Sequence, residues 1–153
     1  MENIVDSLYL GEKSKEERTM IDLSNSFIFP KGNKVEGINF KGEVWQERLI
    51  PIQSEWNCPM GNVTFAPGSR NSWHSHPGGQ ILLVTGGHGW YQEEGKAAQK
   101  ICAGDVVKIP SNIKHWHGAA KDSWLVHVYI VTNPEAGSCE WAEPVSDEEF
   151  DAL

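Results

Sequence analysis

Cysteine is scarce in this sequence: Cys58, Cys102 and Cys139 are the only three. An odd number, with no C-x-x-C spacing, offers no disulfide framework, zinc knuckle or dithiol redox motif, and a reducing, cytoplasmic setting is expected. Basic residues are also few, with Lys and Arg totalling 13 against 21 for Asp and Glu, a formal net charge of −8. Such a chain repels phosphate backbones and anionic bilayers, so neither nucleic acid nor a membrane surface is expected as a partner. No run of 18 or more apolar residues occurs, which leaves no candidate membrane span. The opening MENIVDSLYLGEKSKEER puts acids before its first Lys and has no long apolar stretch, unlike a secretory signal. Internal repeats, low-complexity linkers and a DNA-binding helix pair are missing as well, so a single stand-alone domain is expected from the 153 residues.

What is present reads as β-structure. From about Val44 onward, short apolar runs alternate with Gly, Pro and Asn, the punctuation of an all-β sandwich or barrel. The candidate strands are Val44 to Ile50, Asn62 to Ala66, Gln80 to Thr85, Gly89 to Glu93, Lys100 to Cys102, Asp105 to Ile109 and Ser123 to Val131. QEEGKA, from Gln92 to Ala97, reads as a hairpin tip, while Gly86-Gly87 and Pro110-Ser111-Asn112 read as turns. Two peripheral helices are predicted, one from Lys13 to Met20 and one from Ser146 to Phe150. The second carries Ser146 as N-cap and Glu149 as its capping-box partner. The last residues hold Glu140, Glu143, Asp147, Glu148, Glu149 and Asp151 with no base among them, so a solvated acidic tail is expected.

The histidines carry the chemistry. His74 and His76 form one H-x-H pair, His115 and His117 another, and His127 stands alone in the apolar run LVHVYIV. Side chains two apart on a strand share a face about 6.5 to 7 Å apart, so each pair can aim two imidazoles at one shared ion. Neutral imidazole is a ready ligand for divalent transition metals. Alternation puts Leu125, His127, Tyr129 and Val131 on one face, which a barrel turns inward. His88, in the Gly-rich stretch, reads as a solvated turn residue.

Gly68-Ser-Arg-Asn-Ser-Trp-His74-Ser-His76-Pro-Gly-Gly-Gln80, followed by Gly86, resembles the first cupin motif. Gly104, Pro110 and His115 resemble the second, with Asn112 where Gly is usual. Asn is the best substitute there because it tolerates the left-handed region. The resemblance implies a single-domain, all-β cupin barrel, a double-stranded β-helix or jelly roll with short peripheral helices. It would have an N-terminal extension over residues 1–43 packing on the barrel, the barrel over 44–135, and the tail over 136–153. It also implies one divalent metal ion held by His74, His76, Gln80 and His115.

Most metal-binding cupins carry Glu where this chain has Gln80. An amide oxygen still coordinates but brings no charge, so the ion stays a stronger electrophile, and Lewis-acid chemistry gains over oxygenase chemistry. Within the cupins, the His-x-His-x-x-x-Gln pattern, the run KHWHG and the later isolated His resemble the small bacterial manganese-dependent hydroxynitrile lyases. That likeness implies Mn2+ first, with Fe2+, Zn2+, Ni2+ or Co2+ as substitutes, and a small carbonyl or cyanohydrin-type substrate. It implies His127 as general base and His117 as a substrate-contacting partner, while Val63, Phe65, Trp116 and Val131, with Trp73, are candidates for an apolar substrate wall. The competing expectations are a metal-dependent dioxygenase, decarboxylase or isomerase acting on a small organic acid, and a non-catalytic barrel that binds a small ligand. A homodimer formed by exchange of the segment from Phe27 to Phe40 is expected from the same likeness.

Overall fold

A computed structural model describes residues 28–153. The helix expected at Lys13 to Met20 lies outside the described residues. In chain order the strands are β1 (Asn33–Lys34), β2 (Phe40–Lys41), β3 (Val44–Ile50), β4 (Met60–Phe65), β5 (Arg70–Asn71), β6 (His74–Ser75), β7 (Gln80–Glu93), β8 (Gln99–Cys102), β9 (Val106–Ile109), β10 (His115–Ala119), β11 (Leu125–Val131) and β12 (Glu140–Trp141), followed by the short helix α1 (Asp147–Asp151). All pairings are antiparallel, and they join the strands into one curled sheet. Its first half runs β1-β3-β4-β11 and then the start of β7, which also carries β9. Its second half is built on the end of β7, which pairs with β8 and β10; β10 in turn holds β5 and β6. This is the all-β barrel expected from the punctuation of the sequence.

β7 joins the two halves and corrects one expectation. The Gly86-Gly87 break does not separate two strands by a turn; it bends one strand of 14 residues. Gly87 holds φ 67°, and a Cβ there would lie 1.8 Å from the Trp124 carbonyl oxygen, so only glycine allows this bend against β11. A register shift in β11 between Val126 and His127 faces the same corner. His88 is accordingly a strand residue paired with Cys102, and its Nε2 sits 3.1 Å from Asp122 Oδ1. The predicted left-handed turn does form, with Asn112 at φ 63°.

Period-two alternation turns Val63, Phe65, Leu82, Val84 and Leu125 inward, where they make the main core with Val44, Tyr91 and Ile109. A second cluster lies on the outside of the second half: Trp116, alternating with the histidines on β10, and Trp73, in the bend just before β6, pack against Val145 and Phe150. The C-terminal segment is therefore not a solvated appendage. Its acids face solvent, yet β12 pairs with β6, and Ser146 and Glu149 close the predicted capping box that starts α1. Buried Arg70 donates from Nη2 to the Val145 carbonyl at 3.0 Å and to Asp147 at 2.7 Å, fastening the segment to β5. Among the described residues, no helix is long and apolar enough to cross a membrane.

Candidate metal centre and cavity

The two H-x-H pairs meet because their strands do: β6 and β10 are neighbours, with His74 directly opposite His115. Ring centroids are 4.2 Å apart for His74 and His115, 5.2 Å for His74 and His76, and 5.8 Å for His76 and His115. His74 Nδ1 donates to the Ser72 carbonyl and His115 Nδ1 to the Ile113 carbonyl, both at 2.8 Å. A carbonyl only accepts, so each ring carries its proton on Nδ1 and turns a bare Nε2 inward, the tautomer a metal ligand needs. His115 Nε2, His76 Nε2 and the Gln80 Oε1 are buried without a hydrogen-bond partner. Buried polar atoms left unpaired are costly, and such lone pairs suit a divalent cation, although the ligating atoms of His74, His76 and His115 do not gather within 4.8 Å as one group. Ligating atoms of His74, His115 and His117 lie within 4.8 Å of one another, as do those of His74, His76 and Cys139.

These rings are held neutral. Burial pushes His76 down to about 4, with His115 adding to the shift and Gln80 opposing it. Burial depresses His74 well below the usual imidazole range, aided by His115, and it lowers His115 too. A site that repels protons but collects lone pairs suits a cation that brings no exchangeable proton.

A cavity of about 340 Å³ opens beside these groups. Its floor is fully buried Phe65 with His127 and His117, and its rim carries the more exposed Ile52, Cys139 and Trp141. Of the residues expected in a substrate wall, Val63, Phe65 and Val131 line the cavity. Trp116 does not. It lies on the opposite face of β10 from His115 and His117, packs 6.0 Å from Phe150, and donates from Nε1 to Gln92 at 2.8 Å. Trp73, in the bend just before β6, joins that outer cluster. For Trp116 the single-residue step along β10 reverses the face.

His127 is 1% exposed, and neither ring nitrogen has a partner. Burial pushes its pKa down to about 4. Its ring stands edge-on to His117, 4.8 Å between centroids. His117 is depressed well below its usual value, first by burial and then by His127. Asn71 is a member of this group that the sequence did not reveal: its Oδ1 accepts the His117 backbone N–H at 2.9 Å, and its Nδ2 lies 3.2 Å from His117 Nε2. Tyr129 and Gln46, joined by a 2.8 Å hydrogen bond to the phenol oxygen, add a polar edge to the wall. Cys139 was read only for its redox setting; its place near the histidines depends on β12 folding back over β6, which no local spacing announces.

Barrel, paired H-x-H segments and inward histidine cavity together define a cupin architecture with a histidine group able to bind a metal. Residues 61–132 match the Cupin domain. A curated relative, (R)-mandelonitrile lyase from Granulicella tundricola, is 46% identical over 111 residues, covering 72% of this chain and 85% of the relative. The crystal structure of a cupin-like protein from Thermotoga maritima superposes with a TM-score of 0.80 at 47% identity, covering 83% of this chain and 96% of that one. At the level of fold alone, a predicted oxalate decarboxylase from the same organism superposes with a TM-score of 0.59 at 24% identity, covering 65% and 90% of the two chains. The chain belongs to the cupin family.

Proposed function

We propose that this barrel is a metal-dependent lyase that cleaves, or in reverse forms, the C–C bond of a small cyanohydrin. The observation that carries this reading is His127: a neutral imidazole with two unpaired nitrogens, buried at the floor of a cavity shared with the histidine cluster. The identity with (R)-mandelonitrile lyase supports it. His74, His76, Gln80 and His115 would hold one divalent ion, manganese being the first choice. When bound, that ion supplies Lewis acidity that lowers the pKa of the substrate hydroxyl.

The chain's own residues do the remaining work. His127, unprotonated at neutral pH because its pKa is near 4, accepts the hydroxyl proton. As the O–H bond breaks, the carbonyl forms and the bond to the nitrile carbon cleaves with its electron pair on cyanide. Cyanide is a stronger base than this imidazole, so it takes the proton back from His127 beside His117 and leaves as hydrogen cyanide. Val63, Phe65 and Val131 exclude water and hold the organic group. A homodimer formed through the strands that precede β3 belongs to the same proposal, and sedimentation equilibrium measures it directly.

The test is benzaldehyde release from mandelonitrile by manganese-loaded protein, by chelated protein, and by His115→Ala and His127→Ala. Turnover lost on chelation and in both variants is the expected result. Loaded wild type that is inert sinks the lyase reading, and oxygen uptake by iron-loaded protein then becomes the next measurement.

A further inference from the structure

We propose that the thiolate of Cys139 is a further ligand of this centre, holding a thiophilic divalent ion in a closed form in which sulfur occupies a position that substrate needs. The proposal rests on the metal-centre reading and goes beyond the four expected ligands.

Cys139 is a free, half-buried thiol on the cavity rim, and its sulfur and the ligating nitrogens of His74 and His76 lie within 4.8 Å of one another. An independent feature marks the same spot: His76 Nε2 and Gln80 Oε1, on side chains 8% and 6% exposed, line the cavity without any hydrogen-bond partner. The thiol is also held in place. The residues after it form β12, laid against β6 with Glu140 opposite Ser75 and Trp141 opposite His74. The Ala142 N–H donates to the Trp73 carbonyl at 2.8 Å, and the Trp73 N–H donates to the Glu143 carbonyl at 3.0 Å. The Trp141 ring lies 4.8 Å from the His74 ring, so the strand that delivers the cysteine also covers the ligand. Coordination breaks the S–H bond, gives the electron pair to the ion and releases the proton to bulk water. Zinc, cobalt and cadmium favour sulfur, whereas manganese favours oxygen and nitrogen, so the closed form depends on which ion is bound.

The experiment loads the protein anaerobically with Co2+ alone and records its electronic spectrum. Expected are ligand-field bands together with a near-ultraviolet thiolate-to-cobalt charge-transfer band. The charge-transfer band should vanish in Cys139→Ser and in Cys139→Ala, while the ligand-field bands remain, and Cys102→Ser should keep both. A chelator competition should then show zinc affinity weakened about tenfold or more in Cys139→Ser, with manganese changed by less than about threefold. Ligand-field bands without charge transfer in wild type, or a charge-transfer band that survives in Cys139→Ser, overturn the proposal while leaving the histidine site standing. No cobalt bands at all overturn both.

Discussion

His127 owes its chemistry to what surrounds it: apolar walls, a neighbouring imidazole and no hydrogen-bond partner. Its pKa is pushed from 6.5 to about 4 in the folded chain. Above about pH 6.5 the ring is neutral whether folded or unfolded. As pH falls below that, the unfolded chain takes up the proton first, so stability is lost progressively down to about pH 4, by about 3 kcal/mol in all. Urea unfolding of metal-free protein at pH 7 and pH 4.5 measures the loss, and His127→Leu should show a visibly smaller one. An equal loss in the variant would mean that this ring is not responsible. Gln80 permits a second expectation. Gln80→Glu adds a carboxylate to the buried donor set, so affinity for manganese should rise about tenfold while cyanohydrin cleavage slows, because the ion's charge is partly cancelled. Chelator competition and benzaldehyde release read the two effects separately, and a faster, more tightly loaded variant would contradict the account of why an amide stands there.

Among the elements, β7 shows best where local reading stops. Its two apolar segments are legible as short apolar runs bounded by turn residues, and so are β3, β4 and β11. That the two segments form one bent strand is not, because the bend is set by the Trp124 carbonyl, far along the chain. The short strands β5 and β6, two residues each, have too little length for any alternation to register; only the His74-x-His76 pair pointed to one of them. Gly87→Ala should therefore destabilise the fold by at least about 2 kcal/mol, through positive φ and the clash with that carbonyl, as read from the urea midpoint. A near-neutral substitution would show that the corner is softer than its contacts suggest. The C-terminal segment offers the matching case. Its acids misled by suggesting a solvated tail, whereas Phe150 is 4% exposed and fills the outer cluster with Trp116. Phe150→Ala should cost about 3 kcal/mol, while a substitution at exposed Glu148 on the same short helix should be close to neutral.

At the scale of the molecule, His74, His76, Gln80 and His115 are singled out by their places in the cupin motifs, and His127 by standing in an otherwise apolar strand. Strand alternation already sets Trp116 on the face of β10 opposite His115 and His117, against its expected place in the substrate wall; what spacing could not supply was which strands pair. The same architecture predicts how the protein would respond to a bound ion. The main core of Val44, Phe65, Leu82 and Leu125 is complete without any metal, so chelation should leave the barrel folded. The unpaired donors of the histidine cluster nonetheless favour the native state whenever an ion is available, by about 2.7 kcal/mol at a free concentration one hundred times Kd. For a chain of this size that corresponds to a rise in Tm of about 5 to 10 °C. Scanning calorimetry with manganese and then with excess chelator measures it. A Tm indifferent to both would remove the metal centre itself, and an unfolded chelated protein would mean that the ion, rather than the apolar core, holds the two halves of the sheet together.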